Sequence, residues 1–264
     1  MDTRFWGPSG WKLLHHATYV YDGTNKKAYR EFFESIPYIL PCKYCRTSLT
    51  DYYEELPLDL DHLVKWQYRI HNKVNDKLRG QGLHVVRNPT FQAVQKHYRD
   101  WMKCTQERER LALFWDFLFS VAYNHPKEAS RNSEPMKDCP KELLPSNNSK
   151  EALHCSDPCK QNRWNILPSD KRIRWYKQFW DTLPAVLGPV LGPEWRSIEV
   201  TTRRDLTCRR SVIAWLWRQR CAMDTDFHDP YTSVCRHLTG YSSDCGKERK
   251  GRKITCRRTR KKRN

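Results

Sequence analysis

Several things are scarce in this 264-residue chain, and each scarcity narrows what it can be. No apolar run approaches the roughly 18 residues a membrane-spanning helix needs. The opening residues Met1-Asp2-Thr3-Arg4-Phe5 are not followed by a signal-peptide apolar stretch, so an intracellular chain is expected. Glycine is limited to 10 residues and alternating strand-like patterns are few, which points to an all-α protein. Hydrophobic content is only 38%, but 11 Trp and 13 Tyr bring large buried area per residue, enough for a core of aromatic-lined helices. Cysteine is plentiful at 11, an odd number without the spacing of a small disulfide scaffold, so redox chemistry or metal binding is the better reading for some of them.

The net charge of +18 is unevenly spread. Residues 247–264 carry 11 Lys or Arg against one Glu and so hold +10 of it. The bland reading is a disordered, solvated tail over 241–264; the functional one is a nuclear-targeting or nucleic-acid-contacting arm.

Along the chain, helical periodicity is expected over Trp11–Tyr21, Tyr29–Leu40, from Cys42 through Leu56, from Leu63 to about Gly80 and over Phe91–Met102. Asp59 or Asp61 is expected to cap the fourth and Pro89 to begin the fifth. Residues 124–170 hold six prolines among Ser, Asn and Lys and read as an inserted linker. The two halves echo each other. Tyr29–Pro37 resembles Tyr176–Pro184, Trp11–Tyr19 resembles Trp115–Tyr123, and Val64–Asn75 aligns with Ile213–Asp224. The second copy keeps the packing residues and loses the reactive ones: Phe119 stands for His15, Gly188-Pro189-Val190-Leu191 for the segment around Cys42, and Arg220 for His71. The expected units are 1–104, a degenerate helical copy over 105–240, and the tail.

Two constellations carry chemistry. Pro41-Cys42-Lys43-Tyr44-Cys45 puts a Cys-x-x-Cys at a helix start, where the helix dipole, helped by Lys43, favours a thiolate. Taken alone it is also half of a zinc site, with Cys155 and Cys159 as the other half, or a thioredoxin-like redox pair. On the fourth helix, Tyr68, His71, Asn72 and Asn75 share one face of imidazole and amide groups able to grip a ribose, a pyrophosphate or a ring edge.

The order Trp6-Gly7…Trp11…Leu14-His15, then Pro41-Cys42-x-x-Cys45, then Trp66…His71-Asn72-x-Val74-Asn75 resembles the Erv/ALR family of FAD-linked sulfhydryl oxidases over residues 5–102. The resemblance implies a helical bundle cradling FAD, with Cys42 exchanging with protein dithiol substrates and Cys45 against the flavin. It implies FAD contacts from Gly7, Trp11, His15, Tyr68, His71, Asn72, Val74 and Asn75, together with Lys77 and Tyr98. It implies no metal, molecular oxygen as final acceptor with hydrogen peroxide as product, and a homodimer or an intrachain pseudodimer. A second cysteine pair, Cys155 with Cys159 or Cys245 with Cys256, is the candidate electron shuttle. The two-part layout resembles Erv-type enzymes of large DNA viruses, which implies the host cytoplasm, the nucleus or the virion. A family disulfide is expected to be absent, because Gln92 stands where a partner of Cys104 would be. The rival readings are a zinc-binding helical adaptor with a nucleic-acid-binding tail, and a flavin-free thiol isomerase.

Overall fold

The computed structural model describes residues 1–127 and 170–242, together with the two short strands 248–249 and 252–253. The described part is helical apart from those strands. The first unit runs α1 (Thr3–Tyr19), α2 (Lys26–Ile39), α3 (Lys43–Glu55), α4 (Leu63–Gly80) and α5 (Phe91–Cys104). After α6 (Glu107–Ala112) comes the second unit: α7 (Trp115–Tyr123), α8 (Ile173–Val186), α9 (Leu191–Thr201), α10 (Arg209–Met223) and α11 (Tyr231–Gly240). Glu248–Arg249 pairs antiparallel with Arg252–Lys253, inside the segment expected to be structureless.

Several boundaries differ from expectation; α2 begins at Lys26 rather than Tyr29, and three helix starts have a clear cause. Helix α1 begins at Thr3, not Trp11, because the Asp2 carboxylate accepts the Arg4 N–H at 2.9 Å and caps it. Pro8 then lies inside the helix, leaving one gap in its ladder. The cap residue of α4 is His62; Asp59 accepts the N–H groups of Asp61 and His62 and orders the turn ahead of the helix. The cap of α5 is Thr90, whose hydroxyl accepts the Ala93 N–H at 3.2 Å, with Pro89 one residue outside.

The two units meet through corresponding helices. Helix α2 lies along α8 in the most extensive helix pair of the described residues, and α1 packs on α7. Residues matched by the repeat touch each other across this seam. The rings of Phe32 and Phe179 stack at 5.5 Å, and just ahead of the matched segments the Ser9 hydroxyl donates to the Leu113 carbonyl at 2.8 Å. Self-matching contacts of this kind are what a twofold interface produces. The core of α1, α2, α7, α8 and α10 is continuous through the seam, with Leu13, Phe32, Phe117, Phe179 and Trp215 fully buried. Gly10 permits the approach of α1 to α7: a Cβ there would sit 2.9 Å from the Phe117 ring.

Candidate active site

Helix α3 opens on Cys42, an extended N-cap residue whose carbonyl accepts the N–H groups of Cys45 at 3.1 Å and Arg46 at 3.0 Å. Both cysteines are free thiols. The Cys45 thiol donates to the Cys42 sulfur, and this bond is the largest cause of a Cys42 thiol held well below its ordinary range. Burial opposes it; the Cys45 N–H, the Arg46 charge and the Tyr44 N–H add to it. The same bond, with burial, pushes Cys45 up, against the charges of Lys77 and Arg46. The reduced pair therefore shares a proton, with the anion favoured on Cys42. Cys42 is also the more buried, at 5% exposure.

Lys43, expected to supply the positive charge, instead lies over the Tyr44 ring at 5.3 Å. The charge comes from Arg46, a buried residue that donates to the Leu40 carbonyl at 2.8 Å. Its spacing of four residues from Cys42 was the signal that could have found it.

Four residues expected to bind the cofactor meet between α1, α4 and α5. Trp11 stacks on His71 with centroids 3.8 Å apart and planes within 10°. His15 Nε2 and His71 Nδ1 are 3.0 Å apart, so one donates and the other accepts. The His15 ring stacks on Tyr98 at 4.2 Å. Burial pushes His71 down to about 4 and His15 well down, the latter with the help of His71 and His97, so both rings are neutral at neutral pH. The buried Nδ1 of His15 has no partner among the described residues.

The remaining expected residues are spread around this cluster. Lys77 bonds the Ser48 hydroxyl and so ties α4 to the helix of the cysteines. Asn75 donates to the Asn88 side chain at 3.2 Å, while Asn72 and Val74 lie half-buried beside it on α4. Tyr68 donates to the Pro89 carbonyl at 2.9 Å and tilts against Phe91, bracing α4 on the loop before α5. At Gly7 a Cβ would meet open space. Cys104 is an exposed free thiol. Cys155, Cys159, Cys245 and Cys256 lie outside the described residues, and among the described ones no group of three or more His, Cys, Asp and Glu could hold a metal ion. No helix among them is long and apolar enough to cross a membrane.

The second unit carries different groups at the positions that align with this site. The Arg220 guanidinium lies 5.5 Å from the Trp115 ring, where the first unit stacks His71 on Trp11. The Glu107 carboxylate accepts the N–H groups of Val190 and Leu191 at the start of α9, the place that holds Cys42 in the first unit. Trp195, fully buried, packs its indole against Trp115 at 5.8 Å and Trp215 at 6.2 Å. It is the fifth residue of α9, and the fifth residue of α3 is Thr47. At the same helix position one unit carries a ring and the other a small side chain, both buried.

Residues 8–105 match the family model described as the Erv1 / Alr family. Two curated relatives are similar to part of the chain. A protein of Acanthamoeba polyphaga mimivirus, named as a probable FAD-linked sulfhydryl oxidase, is 35% identical over 85 residues. These are 28% of this chain and 59% of that protein. A protein of Invertebrate iridescent virus 3, also named for FAD-linked sulfhydryl oxidase activity, is 32% identical over 89 residues, 30% of this chain and 59% of the relative. The chain thus spans less than two thirds of the length of the relatives it matches. No solved structure matches it.

Proposed function

With an Erv1 / Alr domain at residues 8–105, we propose that this chain is an FAD-linked sulfhydryl oxidase that makes disulfide bonds in protein substrates. The observation that carries the reading is a pair of adjacent free cysteines at a helix start, in the same domain as an aromatic and imidazole cluster with an unpartnered buried nitrogen.

The residues fit FAD. Trp11, His71 and Tyr98 offer flat faces, His15 Nδ1 and the Asn72 and Asn75 amides offer polar contacts, and Lys77 offers a cation beside Cys45. The chemistry FAD supplies when bound is acceptance of two electrons from the dithiol and their delivery to molecular oxygen, yielding hydrogen peroxide.

The chain's own part is thiol exchange. A substrate thiolate attacks Cys42 of the Cys42–Cys45 disulfide; the sulfur–sulfur bond breaks, and Cys45 leaves as the mixed disulfide forms. A second substrate thiolate attacks the substrate sulfur of that bond and releases Cys42. The substrate leaves with one new disulfide and its two electrons rest on Cys42 and Cys45, which take up one of the two protons the substrate thiols lost on ionising, the other remaining in solvent. Arg46 and the helix start favour the Cys42 anion as a leaving group. His15 and His71, neutral and bonded to each other, orient the flavin and carry no proton in the cycle.

The second unit takes the place of a partner subunit within one chain. The pairing of α1 with α7 and α2 with α8, and the Phe32–Phe179 contact, support this pseudodimer. The basic segment 247–264 suits a polyanion such as nucleic acid, and binding that weakens steeply with salt tests it.

Oxygen uptake with dithiothreitol tests the main reading. Cys42→Ser and Cys45→Ser should each remove essentially all of it, and retained uptake in either variant would sink the assignment. Changing Cys155 and Cys159 together to Ser should spare dithiothreitol oxidation but slow turnover of a protein dithiol. Equal turnover on both substrates would remove their shuttle role.

A further inference from the structure

The second unit lacks the reactive residues of the first, yet it reaches the turn that carries Cys42. Arg172, 4% exposed, ends the 3₁₀ turn Asp170–Arg172 ahead of α8. Its guanidinium donates to the Tyr38 carbonyl, and to the Tyr176 hydroxyl at 3.0 Å. Tyr176 in turn donates to the Asn124 carbonyl at 2.9 Å. The neighbouring Trp175 stacks on the Tyr38 ring at 3.9 Å with planes within 14°. Tyr38 is four residues before Cys42. From the first unit, Arg46 holds the Leu40 carbonyl at 2.8 Å. The approach to Pro41–Cys42 is thus held at Tyr38 by one unit and at Leu40 by the other.

We propose that Arg172 is a positioning residue for the Cys42–Cys45 pair, contributed by the second unit: by fixing Tyr38 it sets the segment Tyr38–Cys42 against Arg46 and so places the Arg46 guanidinium beside the two sulfurs. The inference rests on reading Cys42 and Cys45 as the redox pair. Burial is the chief cause that pushes Arg46 down, to about 9, and the Arg172 charge acts in the same direction, so the two guanidinium groups feel each other. A buried cation favours a neighbouring anion, and a thiolate exists only in the reduced pair. A precise Arg46 therefore stabilises the dithiol relative to the disulfide and makes the disulfide the stronger oxidant. The other groups facing the sulfurs are Lys77 from α4, the Met1 nitrogen ahead of α1 and the Tyr52 hydroxyl on α3. None of these comes from the second unit; its Tyr176 hydroxyl, which Arg172 holds, faces Arg46 and belongs to the same positioning device.

The experiment is the pH dependence of Cys42 alkylation in the full-length chain, reduced and kept anaerobic, with the Cys42 peptide quantified by mass spectrometry. Arg172→Gln should raise the midpoint by about one unit, an about tenfold slower reaction below the midpoint. It should also shift the dithiol–disulfide equilibrium in a glutathione buffer toward the disulfide. Arg172→Lys keeps the charge without the planar fork and should give a smaller shift in the same direction. Gln178→Ala removes another bond of the same seam, to the Glu31 carbonyl at 2.7 Å, and should lower thermal stability without moving the midpoint. An unmoved midpoint in Arg172→Gln would overturn the proposal, as would an equal shift in Gln178→Ala. If Arg172→Gln does not fold, an unmoved midpoint in Arg172→Lys overturns it. Alkylation needs neither flavin nor oxygen, so a chain that binds no FAD would end the oxidase reading and leave this result standing.

Discussion

At Cys42 the negative charge is held by a neighbouring thiol first and by fixed cations second. Replacing that donor separates the two contributions. Cys45→Ala should move the alkylation midpoint of Cys42 up toward the ordinary thiol range, since the Cys45 bond is the leading cause of its depression; a midpoint unchanged from the parent would show that backbone and Arg46 suffice. The position of the dithiol was legible in the sequence, because a proline followed by Cys-x-x-Cys marks a helix start. Its electrostatics were not. Lys43 stands between the cysteines in the sequence but lies over Tyr44, while Arg46, four residues from Cys42, is buried and acts on both sulfurs. Proximity in sequence is a poor guide to charge within a helix; spacings of three and four are a better one. That guide did bring Trp11 and His15 onto one face of α1, where His71 and Tyr98 meet them.

Among the elements, α1 to α5 were readable because each has an apolar face long enough to show its period. Helices α6, α9 and α11 were not. Helix α6 has six residues, and α9 begins just after the Gly188-Pro189 pair that marks a loop. Helix α9 is possible because Gly192 lets it approach α8: a Cβ there would sit 2.3 Å from the Pro184 carbonyl oxygen. Backbone cannot yield as a flexible side chain does, so Gly192→Ala should cost about 1–3 kcal/mol, read as a fall in thermal midpoint. Gly10→Ala, which meets the Phe117 ring at 2.9 Å, should fall in the same range. A variant as stable as the parent at both sites would contradict the described packing of α9 on α8 and of α1 on α7. Thr90→Ala should cost about 1 kcal/mol by uncapping α5, and a change near zero in urea unfolding would refute that cap.

For the molecule as a whole, the repeat was visible in three aligned segments, but their arrangement was not. Only the structure shows α2 lying along α8, with His16 bonded through Nε2 to the Leu187 carbonyl across the seam at 2.9 Å. A chain ending at residue 105 would expose the faces of α1 and α2 that α7 and α8 cover. It should self-associate in light scattering where the full chain does not; a monomeric, well-folded fragment would argue against the pseudodimer. Acid should also loosen the fold. His16, His71 and His125 are pushed down to about 4 chiefly by burial, from an unfolded value near 6.5. Between these values the unfolded chain binds protons that the folded chain refuses. Their contribution is therefore complete above about pH 6.5 and is lost as pH falls toward 4, on the order of 2 kcal/mol for each ring. A thermal midpoint that holds constant from pH 7 to pH 4.5 would contradict this.

The most direct measurement is the visible absorbance of the purified chain as dithiothreitol is added without oxygen. A flavin band should bleach in the parent, return when air is admitted, and stay unbleached in the Cys45→Ala variant. A chain that takes up no FAD, or a band that bleaches equally fast without Cys45, would contradict the oxidase assignment.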